Sequence, residues 1–232
     1  MVKEGYTFGI PPLILGLIAI SFRTPVSGVA GTLLVCLGLF VFSFFRNPDR
    51  AVPTDPGLVV SPADGRVVIV KNEENRGRPG KRISIFLAVW NVHVNRAPAA
   101  GVIVQLDYKP GKFMAAWAER ASLENEQNVF RMQSEAGNIE FKQIAGYIAR
   151  RVVAWKKAGD TVARGERVGL VRFGSRVDLW LPDNAELLVK VGETVHGGSS
   201  VVARIAEPVG SPIRATSSKN GAQKNDGGEQ GA

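Results

Sequence analysis

Two long apolar runs open the chain. Residues 10–22 are uncharged and mostly apolar, and residues 26–45 form a second uncharged run, 20 residues long. Arg23, Thr24 and Pro25 separate them, and Lys3, Glu4 and Arg23 are the only charges before residue 46. A membrane-crossing helix takes about 20 apolar residues. The second run qualifies by itself, whereas the first needs its flanks. A secretory signal peptide has a single shorter apolar stretch with a small-residue cleavage site after it, which this doubled pattern does not match. The pattern therefore predicts an apolar helical hairpin over 1–45 that inserts into a membrane or spans it. Arg46 and Arg50 follow directly, and basic residues beside an apolar run favour the cytoplasmic side. The rest of the chain is expected on that side of the cell membrane.

From residue 46 the pattern changes. Short runs rich in Val, Ile and Leu recur at 58–60, 67–70, 83–89, 102–106, 168–173, 177–181 and 187–191, separated by Gly, Pro and Asp. Such a rhythm of short strands and turns predicts a mainly β domain over 46–210, a sandwich or barrel with few short helices. One short helix is expected at 114–122, where Ala115, Ala116 and Ala118 favour it. A weak repeat, Gly-acid-Thr-Val-x-x-Gly, occurs at 159–165 and again at 192–198. Its glycines suit sharp turns at positive φ, and the pattern is common in hammerhead-like (hybrid-motif) β domains such as biotinyl and lipoyl carriers. Residues 211–232 are rich in Ser, Gly, Asn, Gln and Lys and have no apolar period, so a disordered tail is expected there.

Composition narrows the chemistry. The net charge is +8, which calls for an anionic partner, nucleic acid or an anionic membrane surface. No aromatic–basic platform accompanies the charge, so nucleic acid ranks last. One Cys and two His exclude a disulfide framework and a cysteine-rich metal site, and no paired-histidine zinc motif exists. A histidine-dependent mechanism must then use His93 or His196. His93 sits in a polar interruption after an apolar run, whereas His196 falls in a Gly-rich turn, so His93 is the favoured general base. Gly174-Ser175 lies between two strand-like runs. It reads either as a β-bulge with a surface Ser or as a nucleophile beside a strained backbone. Asp64 either fills an Asp-Gly turn or orients His93, by the logic of a nucleophile–base–acid triad. Spacing by itself leaves these alternatives open.

Five stretches occur in a fixed order behind the apolar hairpin. They are Phe44-Phe45-Arg46-Asn47-Pro48-Asp49-Arg50, Ser61-Pro62-Ala63-Asp64-Gly65, Asn91-Val92-His93-Val94-Asn95-Arg96, Gln143 through Arg151, and Gly165-Glu166-Arg167 through Gly174-Ser175-Arg176-Val177-Asp178. Together they resemble phosphatidylserine decarboxylase in its short bacterial, archaetidylserine-decarboxylase-like form. The resemblance implies a proenzyme that cuts itself between Gly174 and Ser175, leaving fragments 1–174 and 175–232. It implies Ser175 as nucleophile, Gly174 as the attacked carbonyl, His93 as base and Asp64 as the carboxylate that orients His93. Ser175 would become a covalent pyruvoyl group that takes the substrate amine as a Schiff base, with no metal and no pyridoxal phosphate. Phosphatidylserine in the bilayer would yield phosphatidylethanolamine and CO2. Lys112, Arg150 and Arg151 are candidates for head-group contacts, and a homo-oligomer is compatible with the resemblance. The competing expectation is a membrane-tethered hammerhead carrier or adaptor without catalysis.

Overall fold

The computed structural model describes residues 1–205 apart from residues 117, 136, 148–150 and 173. The tail expected at 211–232, residues 206–210 of the expected catalytic domain, and Arg150 lie outside the described residues.

The hairpin forms from α1 (Lys3–Ser21) and α2 (Pro25–Phe44). α1 recruits the flank before residue 10, so both helices are long and apolar enough to cross a membrane. The turn between them is encoded locally. Thr24 caps α2 by accepting a hydrogen bond from the Ser27 N–H at 3.2 Å, the Ser27 hydroxyl accepts from the Thr24 N–H, and Pro25 occupies the first helical turn. The helices meet through small residues. A Cβ added to Gly16 would lie 2.7 Å from the Gly31 carbonyl oxygen, and one added to Gly31 would lie 2.6 Å from that of Gly16. Such backbone proximity is the packing used between helices in lipid. Leu15, Leu17, Leu33, Leu37 and Leu39 point outward and are exposed.

The remainder is mainly β. Its strands are β1 (Leu58–Val60), β2 (Gly65–Asn72), β3 (Gly80–Leu87), β4 (Val94–Arg96), β5 (Gly101–Lys109), β6 (Gln127–Ser134), β7 (Gly137–Ile144), β8 (Val152–Ala154), β9 (Thr161–Val162), β10 (Arg167–Val171), β11 (Ser175–Pro182), β12 (Ala185–Leu187), β13 (Thr194–Val195) and β14 (Val201–Ile205), with one short helix, α3 (Ala121–Glu124). Among the described residues they form three sheets. The largest runs β13-β2-β3-β11-β7-β6-β5-β9, and two three-stranded sheets run β1-β14-β12 and β4-β10-β8. The repeat detected in the sequence supplies both edges of the large sheet, β9 and β13. Those edges are far apart in strand order, yet the turns that follow them touch. A Cβ on Gly165 would lie 3.4 Å from the Gly198 carbonyl oxygen, so the sheet curls toward closure, as a barrel does. Ile83, Ile85, Leu87, Phe130, Phe141, Val177 and Leu179 fill its interior.

Two expectations need correction. The helix expected at 114–122 does not form, and only the single turn of α3 is helical. The Asn125 side chain accepts from the Met114 N–H at 2.9 Å and donates to the Met114 carbonyl at 2.8 Å, which takes backbone groups that a helix would need. The run at 187–191 contributes only its first residue to β12. Conversely, β6 and β7 are long strands that no apolar run announces. Their interior residues Phe130, Met132, Ile139 and Phe141 are interspersed with polar ones.

A second, smaller core joins the two parts. Phe44 and Phe45 at the end of α2 pack with Val2, Val92, Val94 and Leu170. Arg46 extends the junction by donating to the Trp90 carbonyl at 2.6 Å. The hairpin is therefore docked on β4 and β10 by apolar burial. Replacing Phe44, 1% exposed, by Ala is expected to cost about 3–5 kcal/mol, the usual range for a buried Phe. Leu33→Ala, on the outward face of the same helix, is expected to change stability by less than about 0.5 kcal/mol. Unfolding of the full chain in detergent micelles compares the two.

Candidate active site

Ser175 begins β11 at the middle of the large sheet. Its Cα pairs with Leu87 of β3, and the next residue, Arg176, pairs with Ile144 of β7. Alternate residues of a strand share a face. Val177, Leu179 and Leu181 belong to the main core, so Ser175 lies on the core face and Arg176 and Asp178 on the other. Ser175 is fully buried, and its Oγ has no hydrogen-bond partner among the described residues. Gly174 before it adopts φ +59. A Cβ there would meet nothing within 4 Å, so the glycine is needed for its left-handed backbone and not for space.

Arg176 and Asp178 are both fully buried, and they hold the start of β11 from the other face. Arg176 Nε donates to Asp178 Oδ1 at 2.5 Å and its Nη2 donates to Ser84 Oγ at 2.8 Å. Ser122 Oγ donates to Asp178 Oδ2 at 2.5 Å. The segment that replaces the expected helix thus covers this polar face.

His93 is fully buried just before β4. Its Nδ1 lies 2.9 Å from the Asn91 carbonyl, a contact that assigns the proton to Nδ1 and leaves the Nε2 lone pair free. Nε2 is buried without a partner among the described residues. Burial lowers the His93 pKa from 6.5 to about 4, the Asn91 carbonyl opposes that shift, and Arg46 lowers it further. The ring stacks on Phe44 with centroids 4.1 Å apart, so the hairpin docking site walls one side of the imidazole. The His93 carbonyl accepts from the Val171 N–H at 3.1 Å, which ties it to the chain four residues before Ser175.

Asp64 does not bond His93. Its carboxylate accepts from Arg50 Nη2 at 2.7 and 2.9 Å and from the Gly197 N–H at 2.8 Å, and it faces His196 Nδ1 at 3.4 Å. Asp64 precedes β2, and β3 lies between β2 and β11. Two strand spacings, about 10 Å, therefore separate this part of the backbone from Ser175. The loop is nevertheless joined to the His93 region, since the Pro62 carbonyl accepts from the Arg96 N–H at 2.9 Å. Three sequence stretches converge, but no hydrogen bond links the Asp64, His93 and Ser175 side chains.

Spacing along the chain left three residues here without a role. Arg50 and His196 hold Asp64. Arg96 donates from Nη1 to the Gly165 carbonyl at 2.9 Å and from Nη2 to Asn47 Oδ1 at 2.7 Å and the Pro48 carbonyl at 3.1 Å. Burial, with repulsion from Arg50 and Arg167, lowers its pKa. The repeat signalled a turn at His196, but its partner Asp64 is 132 residues away, beyond any local pattern. Of the head-group candidates, Lys112 is exposed and donates to Glu124 at 2.9 Å, Arg151 is exposed, and Arg150 lies outside the described residues. Arg172 offers another cation: its Nε is buried without a partner and its guanidinium lies 5.2 Å from the centre of the Phe8 ring. Among the described residues no group of three or more His, Cys, Asp or Glu could hold a metal ion.

Comparison with known proteins places these stretches in one shared sequence. A sequence model of the family described as phosphatidylserine decarboxylase matches residues 37–203. A phosphatidylserine decarboxylase proenzyme of Magnetococcus marinus is 43% identical over 209 residues, 88% of this chain and 95% of that protein. Proenzymes of the same description from Solibacter usitatus and Trichlorobacter lovleyi are 48% identical over 171 residues and 46% identical over 190 residues. They cover 74% and 81% of this chain and 81% and 86% of their own. The matched span runs from the end of the hairpin through the Gly174–Ser175 turn, and the chain belongs to the phosphatidylserine decarboxylase family.

Proposed function

We propose that this decarboxylase is made as a proenzyme that breaks its own Gly174–Ser175 bond and converts phosphatidylserine to phosphatidylethanolamine and CO2 through a pyruvoyl group at residue 175. The observation that carries the proposal is the fully buried, unpartnered Ser175 Oγ next to a glycine in the left-handed region. A hydroxyl without a hydrogen-bond partner keeps its lone pairs available, and the neighbouring carbonyl is its nearest electrophile.

In the proposed sequence Ser175 Oγ adds to the Gly174 carbonyl carbon. The hydroxyl proton leaves to a base and is delivered to the Ser175 nitrogen as the C–N bond breaks, giving an ester. Loss of the Ser175 α-proton and departure of the Gly174 carboxylate leave dehydroalanine, and water then displaces ammonia. His93 is assigned the proton transfers, because its Nε2 is neutral, buried and free. Asp64 is assigned the orientation of the base region through its loop, whose Pro62 carbonyl binds the Arg96 backbone. The Ser175 position fits the conversion product, whose methyl group would replace a fully buried side chain on the apolar core face of β11. When formed, the pyruvoyl carbonyl supplies an electrophile for the substrate amine and an electron sink for the departing carboxylate.

The two apolar helices are consistent with membrane association. In the proposed arrangement they hold the β domain at the cytoplasmic face of the cell membrane, where the lipid tails stay in the bilayer. Arg151 and Arg172 face the phosphate-bearing head group, with Lys112 available once it leaves Glu124 and Arg150 on the same stretch.

Ser175→Ala is expected to remain a single 24.9 kDa chain and to produce no phosphatidylethanolamine from phosphatidylserine vesicles; product from that variant would overturn the mechanism. His93→Ala is expected to slow self-cleavage by about 100-fold or more, within the range for loss of a general base, on denaturing electrophoresis. Because the His93 pKa lies near 4, cleavage is expected to hold its rate from pH 8 down to about pH 5. A rate falling with a midpoint near 6.5 would remove His93 from the role. Stability depends on the same group. Its folded pKa lies below the unfolded 6.5, so the neutral ring's full contribution is present above pH 6.5 and is lost as pH falls toward 4. The loss is about 3 kcal/mol, read as a fall in Tm that His93→Gln removes.

A further inference from the structure

We propose that Gly146 is a positioning residue for self-cleavage: its bare Cα, fixed through Ala145 by the Asn125 side chain, holds the Gly174 carbonyl in the orientation that Ser175 attacks. This deepens the processing scheme above and rests on it, adding two residues to which that scheme assigns no part.

The register brings the two glycines together. Arg176 pairs with Ile144 across β11 and β7, and stepping two residues off that antiparallel ladder sets Gly174 opposite Gly146. The approach is close. A Cβ added to Gly146 would lie 1.6 Å from the Gly174 carbonyl oxygen and 2.8 Å from its carbonyl carbon. No side chain fits between these backbones, so residue 146 has to be glycine for space, whereas Gly174 has to be glycine for its φ of +59.

The surface on which the carbonyl rests is rigid. Ala145 is fully buried, and both of its backbone polar groups are held: its N–H donates to the Glu126 carbonyl at 2.9 Å, and its carbonyl accepts from Asn125 Nδ2 at 2.8 Å. Asn125 is 1% exposed and is itself held by the Met114 N–H and carbonyl. On the other side of the bond, Ser175 sits in the ladder with Leu87, and Arg176 is locked by Asp178 and Ser84. Between these anchors a Cβ on Gly174 would meet nothing within 4 Å. A glycine peptide samples more orientations than any other. Attack by Oγ of the following residue closes a five-membered ring, and that ring forms only when the face of the carbonyl is presented to Oγ. Misplacing a reacting atom by about 1 Å costs on the order of 100-fold in rate. Relieving a 1.6 Å contact requires a shift of at least that size.

The effect is confined to one step. Once the bond is broken, the Gly174 carbonyl is part of a free carboxylate that can move away from residue 146. Decarboxylation per pyruvoyl group is then insensitive to a methyl there.

The test monitors cleavage of the full chain synthesised in a cell-free system with phospholipid vesicles, sampled over time by denaturing electrophoresis. Gly146→Ala is expected to cleave about 100-fold more slowly than the wild type, with cooperative unfolding retained. Its cleaved fraction is expected to decarboxylate phosphatidylserine at the wild-type rate per carbonyl-reactive end. Hydroxylamine, which cuts esters, is expected not to speed its breakage, because the block precedes ester formation. Wild-type cleavage by Gly146→Ala overturns the proposal. So does a slow variant that hydroxylamine cuts quickly, since its carbonyl has already been attacked. If Gly146→Ala does not fold, Asn125→Asp, which removes the Nδ2 donor while keeping the shape, is judged by the same criteria. A wild-type chain that stays whole overturns the processing scheme itself, and that outcome is visible before any variant is compared.

Discussion

The structure depends on how the start of β11 is held. This strand lies in the middle of the eight-stranded sheet, bonded to β3 on one side and β7 on the other. Its core face carries Ser175, Val177 and Leu179, and its opposite face carries the fully buried Arg176–Asp178 pair. A one-residue slip of register would exchange these faces. It would place charges in the apolar core and move the serine to the polar face. The pair is satisfied in place by Ser84 and Ser122, and removing one partner of such a buried pair typically costs about 3–5 kcal/mol. A buried ion pair is weak evidence for extra stability, but here it distinguishes one register from its neighbours. Ser175 is positioned by the same distinction.

Around that strand, each neighbouring element approaches the Gly174–Ser175 turn for a separate physical reason. The 143–146 stretch arrives as the end of β7 and meets Gly174 through a glycine. Asn125 takes the backbone groups of Met114, the helix expected at 114–122 shrinks to the single turn of α3, and Ser122 of that turn covers the polar face of β11. His93 is brought beside Val171, four residues before Ser175, by the pairing of β4 with β10, and its ring is walled by Phe44 at the foot of the hairpin. The apolar hairpin and the proposed base therefore meet at one small core. The desolvation that lowers the His93 pKa comes in part from the docking of the hairpin.

Family membership removes the carrier alternative and makes the chain an enzyme. It leaves open how the candidate residues divide the work, and there the geometry departs from the simplest expectation. Asp64 is bound by Arg50, Gly197 and His196 and is not hydrogen-bonded to His93. The three stretches were legible in the sequence because each combines a reactive residue with turn-forming neighbours. The partner of Asp64 was not, since Arg50 and His196 reach it only after the sheet has curled. The same holds for Gly146. Its reason for being glycine is the Gly174 carbonyl on another strand, and no local pattern encodes that contact.

The sequence by itself determined the apolar hairpin, the mainly β character of the chain beyond it, the two matching turns of the repeat and the candidate Gly174–Ser175 pair. These are local properties: runs of apolar residues, turn residues at fixed offsets, and a Gly-Ser pair between strand-like runs. Tertiary structure decided which charges face Asp64, which glycine touches the Gly174 carbonyl, and where a helix-favouring segment stays irregular. Each of these is a contact between residues distant in the chain. They arise because the curled sheet brings its edge turns together, closing Gly165 on Gly198 and leaving the serine buried at its centre.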